Sequence, residues 1–466
     1  VIDRQQITLV FAGSMIFVTA IWLFNFPWYD ISGDTAAYAL LGRFLWETGR
    51  YTVDGTTPYA LHLPWLAFIS YPFTFLLGAN LGMKLLSLLA GFGVMYVSYE
   101  LLKRFFPQPI ALAVVPLLAL HHSFNYLVLG GGTDLHYAIL FLAAVLFLHR
   151  GLTESPRWFL PMGIYMGLAC LARYNGVFLF PLAAGVMLYQ RRSLRLPVEF
   201  YTGMTIGVSL FSIWLLRNYF VFGSPLYSEY REQLSPNYVS VITENTLFYL
   251  NPLHNVLPVL FVCLLVGLWN HWRGRMFLLW TAASAVVLTM IWTTLSMRFV
   301  FPAFPILLAF AAWGAVDIVT WFPKQWRKTA VAMGVFLIVA THAGMLCLYT
   351  VSVCHVWFDQ NIGLIPPVIP LTIEPRYSFA EAKMYLNETA SAHAQILTKD
   401  ILETISYERG LFRSDLQVSH VPGRGCPVYH IDFVERIADP IFVSKNQPKV
   451  AVGRSECLML RPRSAE

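Results

Sequence analysis

Phe26-Pro27-Trp28-Tyr29-Asp30-Ile31-Ser32-Gly33-Asp34-Thr35-Ala36-Ala37-Tyr38 follows directly on an apolar run that begins at Ile7. The run from Ile7 to Trp28 meets the ~20 residues needed to cross a ~30 Å hydrocarbon core. It is long for a cleaved leader and has no small-residue cleavage site, so it reads as a retained span. The residues after it open an amphipathic helix, Asp34 to Trp46, with Tyr38, Leu41 and Leu45 on one side. Asp34 therefore stands just outside the bilayer. Two readings of it are open. A carboxylate behind Ser32-Gly33 is a good helix cap, because it satisfies free backbone N–H groups. A carboxylate beside a span is also well placed to meet a lipid-linked substrate at the membrane surface.

The rest of the chain supports the membrane setting. Of 466 residues, 57% are hydrophobic and only 12% charged, about half the charge of a soluble domain. The mean hydropathy is +0.58. Composition thus points to an α-helical polytopic membrane protein surrounded by lipid. The net charge of +6 does not imply a nucleic-acid partner, because the basic residues lie in short clusters between apolar runs, where they set topology. The six cysteines are Cys170, Cys263, Cys347, Cys354, Cys426 and Cys457. They have no metal-type spacing. The first ones read as apolar packing, and Cys426 with Cys457 is a candidate pair if the C-terminal region meets an oxidising compartment.

The basic clusters orient the spans. After a first loop at 29–82, Met83 to Leu102 ends at Lys103-Arg104, and Ile110 to Leu120 returns. Leu63 to Leu77 is apolar but short, carries Pro64 and Pro72, and reads as interfacial or re-entrant. Asp134 to Leu148 runs to His149-Arg150. Trp158 to Leu171 and Val177 to Tyr189 form a broken pair around Arg173-Tyr174-Asn175-Gly176, ending at Arg191-Arg192. Tyr201 to Leu216 leads to a polar loop at 217–249. Pro252 to Trp269, Phe277 to Thr293, Val300 to Trp321 and Thr329 to Tyr349 follow. With the N-terminus inside, about 11 spans put every basic cluster on the cytoplasmic side. Asp34, Asp134, Arg173, Arg217 and Arg298 then share the non-cytoplasmic side of a plasma (inner) membrane. So does a tail at 356–466 whose helix-like and strand-like runs (Ser378 to Glu388, Gln395 to Thr398, Ile441 to Val443, Cys457 to Leu460) suggest a small exofacial α/β domain. The expected division is 1–355 as a transmembrane domain and 356–466 as this C-terminal domain.

That outer face offers a distinct chemistry. Asp134 opens a helix after Gly130-Gly131-Gly132-Thr133, and it too is either a cap or a functional carboxylate. Arg173 and Arg298 each interrupt an apolar stretch, and Lys84 lies near the outer end of its span. Such cations snorkel to headgroups or clamp phosphate, which guanidinium forks bind bidentately. His62 lies on the same side. His121, His122 and His136 flank Asp134 without matching a strong ligand motif. Tyr219, Phe220, Tyr227, Tyr230 and Tyr238 are placed to stack on sugars or to form an interfacial aromatic belt. Carboxylates with phosphate-binding cations at a membrane surface suggest group transfer from a lipid phosphate.

In order along the chain come one span, Gly33-Asp34-x-x-x-Tyr38, His62-x-Pro64, Thr133-Asp134, and Leu171-Ala172-Arg173-Tyr174-Asn175-Gly176. Then come Trp214-Leu215-Leu216-Arg217-Asn218-Tyr219 and Arg298-Phe299-Val300-Phe301-Pro302. This order resembles the GT-C superfamily of polyprenyl-phosphate-sugar-dependent glycosyltransferases, in the branch of protein O-mannosyltransferases and the lipid A aminoarabinose transferase. The resemblance spans residues 7 to 350. It implies a GT-C-like fold and an inverting transfer from a polyprenyl-phosphate-linked sugar donor to an exofacial acceptor. It implies Asp34 and Asp134 as catalytic carboxylates, with Tyr38, His62, Lys84, Arg173, Tyr174, Arg217 and Arg298 toward substrate. Where many relatives carry two adjacent acids, this chain has Asp34-Thr35. Where many carry His-Pro-Pro or Lys-Pro-Pro, it has His62-Leu63-Pro64. A divalent metal is compatible with that pattern without being fixed by it. Two other classes share the composition. One is a lipid-linked sugar transporter, which favours inverted repeats and mid-membrane charge. The other is a non-catalytic subunit that binds a membrane-complex partner through its C-terminal domain.

Overall fold

The structure is a computed structural model that describes residues 3–26, 33–53, 55–191, 196–227, 238–250, 258–291, 297–349, 385–390, 395–398, 417–419, 428–433, 440–443 and 450–455. Cys354, Cys426, Cys457, Tyr230 and the run Cys457 to Leu460 lie outside these residues.

Helix α1 (Arg4–Asn25) starts on a capping box: the Asp3 carboxylate accepts from the Gln6 N–H at 2.7 Å, and the Gln6 side chain accepts from the Asp3 N–H at 3.2 Å. Helix α2 (Gly33–Thr48) carries Asp34 in its first turn. It is less amphipathic than expected. Besides Tyr38 and Leu41, Ala36, Ala37, Ala39 and Leu40 are buried, so its first half is enclosed on most sides. Helix α3 (Pro64–Leu77) begins with proline at its first position, where no N–H is needed, and α4 (Ala79–Leu102) follows after Gly78.

Helices α5 (Gln108–Leu120) and α6 (His122–Gly130) meet at a 61° bend. Here His121 adopts extended backbone and its ring accepts from the Ser123 N–H. The expected return span Ile110 to Leu120 thus continues past the bend as α6. Gly131, at φ +72, ends α6 in the left-handed region that suits glycine. A Cβ there would also stand 2.8 Å from Thr35 Cγ2.

Helices α7 (Asp134–Thr153), α8 (Phe159–Ala172), α9 (Leu179–Arg191) and α10 (Val198–Phe222) come next. They are followed by α11 (Tyr238–Leu250), α12 (Pro258–His271), α13 (Met276–Val286), α14 (Phe304–Thr320) and α15 (Arg327–Tyr349). Short 3-10 turns at Tyr174–Phe178 and Met297–Ala303 carry the chain into α9 and α14.

Among the described residues, six helices are long and apolar enough to cross a membrane, or seven with the bent pair counted as one span. Pro64–Leu77, Tyr174–Tyr189 and Leu260–His271 are apolar but shorter. Many outward side chains are large and apolar, such as Leu9, Ile16, Ile213 and Phe336. The chain is an integral membrane protein. Between lipid-facing helices the hydrophobic effect gives little drive, so close backbone approach takes over. Glycines mark such approaches. A Cβ on Gly163 of α8 would run into the Gly203 carbonyl of α10, and one on Gly314 of α14 into the Cys263 carbonyl of α12.

The main apolar core is shared by α4 to α8 and α14, around Val94, Phe141, Met162 and Phe310. Free Cys170 and Cys263 are buried. A second cluster joins α2, the loop after it, α3 and the start of α4 through Leu41, Tyr51, Leu66 and Met83, with Trp214 of α10 against it. This second cluster holds the first-loop residues in place.

The C-terminal strands are β1 (Gln395–Thr398), β2 (Gln417–Ser419), β3 (Val428–Phe433), β4 (Pro440–Val443) and β5 (Val450–Ser455). They form one sheet of order β2-β1-β3-β5-β4, parallel across β2-β1-β3 and antiparallel across β3-β5-β4. The runs Gln395 to Thr398 and Ile441 to Val443, read as strands from the sequence, fall on β1 and β4.

Candidate active site

Asp34 is reached by two partners. Its Oδ1 lies 3.2 Å from His62 Nε2, and its Oδ2 lies 3.4 Å from Arg298 Nη1. His62 is buried and held from behind: the Tyr59 hydroxyl lies 2.6 Å from Nδ1, the Tyr59 ring stacks on the imidazole, and Tyr38 packs edge-on at 4.7 Å. The Tyr51 hydroxyl donates to the His62 carbonyl at 2.9 Å. Nε2 is the ring nitrogen that faces the carboxylate. Burial pushes the Asp34 carboxyl up. The His62 hydrogen bond and the charges of His62, Arg298 and Arg173 more than offset this, holding it well below the usual carboxylate range.

Asp134 has the same kind of partner in a different setting. It opens α7, but Thr133 provides no side-chain cap, and the Asp134 carboxylate instead pairs with Arg173 Nη2. The two pairs differ in access. Asp134 and Arg173 are 5% and 16% exposed, whereas Asp34 and Arg298 are 45% and 36% exposed. One pair is a buried anchor and the other is partly open to the surface. Phe299 stands between them: the guanidinium carbons of Arg173 and Arg298 each lie 5.0 Å from its ring centre.

The two carboxylates are also tied through the backbone. The Thr35 hydroxyl, next to Asp34, donates to the Gly130 carbonyl at 2.7 Å. The Thr133 hydroxyl, next to Asp134, reaches the Ala172 carbonyl beside Arg173 at 3.5 Å. At the buried Thr35 position the hydroxyl supplies a donor to the Gly130 carbonyl, which an ionised carboxylate could not.

The other sequence candidates fall in two groups. Lys84 is fully buried; its Nζ donates to the Phe26 carbonyl at 3.1 Å and lies over the Phe26 ring at 4.4 Å. It does not snorkel to the surface. Arg217 and Tyr174 form a second locus. The Arg217 guanidinium sits over Trp214, Phe222 and Tyr51 at 4.9, 5.0 and 5.6 Å, and the Trp214 indole N–H donates to the Tyr174 hydroxyl at 3.3 Å. Arg217 also reaches the Tyr51 carbonyl at 3.5 Å, which links it to the loop that positions His62. Of the loop aromatics, Tyr219 and Phe220 are exposed and Tyr227 stacks on Phe222.

A metal centre does not fit these residues. Among the described residues, no group of three His, Cys, Asp or Glu side chains converges as an ion would require. His121 and His122 stack on each other near His342, and Asp34 and Asp134 are already faced by arginines.

Tyr59 and Phe299 are the site residues that sequence reasoning passed over. The Tyr59-x-x-His62 spacing was a usable signal for the first. Phe299 has none, because its meaning depends on Arg173, far away in the chain. The His62 contact also has a measurable consequence. Any activity that needs ionised Asp34 should keep its acid limb below the ordinary carboxylate pKa of about 4. His62→Leu removes a lowering influence and leaves the burial that raises the pKa, so the limb should move to higher pH in a rate–pH profile.

Residues 58–216 match the family model described as dolichyl-phosphate-mannose-protein mannosyltransferase. That segment holds His62, Lys84, Asp134, Arg173 and Tyr174. No curated protein sequence matches the chain. Among solved structures, ArnT from Cupriavidus metallidurans in the apo state is similar, with a TM-score of 0.61 at 14% identity, covering 96% of this chain and 97% of that one. The same protein bound to undecaprenyl phosphate gives a TM-score of 0.60 at 13% identity, covering 97% and 98%. At such identities the likeness is one of fold. Residues 58–216 are thus similar to the protein mannosyltransferase family model, and the fold as a whole is similar to that of ArnT.

Proposed function

We propose that the chain is an inverting glycosyltransferase that moves a sugar from a polyprenyl phosphate to a hydroxyl on the outer face of the plasma (inner) membrane. The observation that carries this reading is the pair of carboxylate–arginine contacts joined at Phe299, one exposed and one buried. The undecaprenyl phosphate bound by ArnT supports the lipid class of the donor. A threading of about 11 spans, with the N-terminus inside, rests on the basic clusters between the apolar runs. The strands after residue 394 belong to an exofacial α/β domain at 356–466.

The chemistry is a single displacement. The acceptor hydroxyl attacks the anomeric carbon and its proton passes to Asp34. The bond from that carbon to the phosphate oxygen breaks, and the electron pair leaves with the polyprenyl phosphate. Arg298 and Arg173 face the negative charge that develops on the leaving oxygen, which is where preorganised cations act most. Arg298 is accessible and takes the phosphate directly. Asp134, being buried, serves chiefly to fix Arg173. Tyr59 and His62 aim Asp34, and Tyr38 closes the wall beside them. Arg217, Tyr174 and the aromatic rings around them border the acceptor side, and Lys84 backs the site from α4. No step requires a metal.

The test is turnover by the purified protein in lipid. A panel of undecaprenyl-phosphate sugars is supplied with membrane extract as acceptor source, and released undecaprenyl phosphate is measured. At least one donor should be consumed in an acceptor-dependent way. A panel left intact, with protein that is folded and binds none of its members, would remove the reading.

A further inference from the structure

The two arginines of the site come from distant parts of the chain. Arg173 lies at the break between α8 and the turn before α9, and Arg298 lies in the turn before α14. What they share is one ring: each guanidinium carbon lies 5.0 Å from the centre of Phe299. A planar guanidinium that puts its face toward an aromatic ring keeps its edge N–H donors available. Those donors are in use here, Arg173 toward Asp134 and Arg298 toward Asp34. Both cations therefore keep an edge of N–H donors while packing against the same ring.

We propose that Phe299 is a positioning residue that combines Arg173 and Arg298 into one clamp for the donor phosphate. This rests on the reading of the site as a polyprenyl-phosphate site. The donor's phosphodiester presents two non-bridging oxygens, as a carboxylate does, and the monoester that leaves presents three, so the phosphate competes with Asp34 for Arg298 at the exposed end of the clamp. Donor arrival then frees Asp34 from its cation. The carboxylate becomes a stronger base only when there is a sugar to transfer, and water meets a weak one.

The experiment separates the ring's charge distribution from its shape. Phe299 is replaced by its mono-, tri- and pentafluorinated analogues, which keep the ring outline while progressively withdrawing the negative face that attracts cations. Binding of undecaprenyl phosphate by the full chain in nanodiscs is measured for each, together with Phe299→Leu and Phe299→Trp. The expected result is a stepwise loss of affinity with fluorination, reaching about tenfold for the pentafluoro ring, as fits two moderate cation–π contacts. Phe299→Leu should lose a similar factor and Phe299→Trp should recover it. The donor KM should rise more than kcat falls. Equal affinity across the fluorinated series, with tight wild-type binding, would overturn the clamp and leave the phosphate site standing. Absence of wild-type binding would instead overturn the functional reading beneath it. Should Phe299→Leu fail to fold, the near-isosteric fluorinated series still decides.

Discussion

Asp34→Asn abolishes all but a small fraction of sugar transfer, with kcat lower by about 10²–10⁴-fold, the usual contribution of a positioned general base. The asparagine is nearly isosteric and keeps an oxygen toward His62 Nε2, so the fold should persist. Donor binding should survive, and it should tighten, because Arg298 no longer has a carboxylate to neutralise it before the phosphate arrives. Loss of turnover with retained or improved donor affinity is the combination that distinguishes a base from a structural cap. A cap would give the opposite pattern, with lower thermal stability and turnover scaled only by the folded fraction. Release of undecaprenyl phosphate and equilibrium donor binding, measured on the same preparation, separate the two.

Arg173→Ala has the largest expected effect on stability. It leaves Asp134, 5% exposed, without the cation it faces. Removing one partner of a buried ion pair typically costs about 3–5 kcal/mol, since the remaining charge is stranded. Asp134→Asn in the same chain removes that stranded charge, so the double variant should be more stable than Arg173→Ala alone. Thermal unfolding in detergent or lipid checks both values. Arg298→Ala offers a useful contrast: its pair is 36% and 45% exposed, so its loss should change stability little and donor affinity greatly. Similar destabilisation by the two substitutions would contradict the division into a buried anchor and an open clamp.

How much of this was legible in the chain differs from residue to residue. Asp34 was, because a charge directly after an apolar span is conspicuous whatever the tertiary structure. The break at Arg173-Tyr174-Asn175-Gly176 was also visible, since a cation and a glycine interrupt an apolar run. The partnership of Arg173 with Asp134 was not. It depends on the closeness of α7 and α8 and on the turn after Ala172, and helical periodicity does not encode which residues of two helices meet. The bend between α5 and α6 was missed for a related reason. His121-His122 interrupts the apolar pattern, and an interrupted pattern reads as the end of a span rather than a change in its direction. His62 was read as a lone histidine beside substrate. Its actual setting, with Tyr59 and Tyr38 around the ring, comes from a loop folded over the second apolar cluster. The positions of α3 and of the C-terminal β1 and β4 followed from local signals alone: proline at a helix start, and short apolar runs in polar surroundings.

The most direct measurement is a structure of the full chain in a lipid nanodisc with undecaprenyl phosphate bound. The phosphate is expected between Arg298 and Arg173, both guanidiniums still on Phe299, with the Arg298–Asp34 contact opened and Arg173–Asp134 retained. A phosphate bound elsewhere, with both carboxylate–arginine contacts as they are in the free protein, would contradict the account.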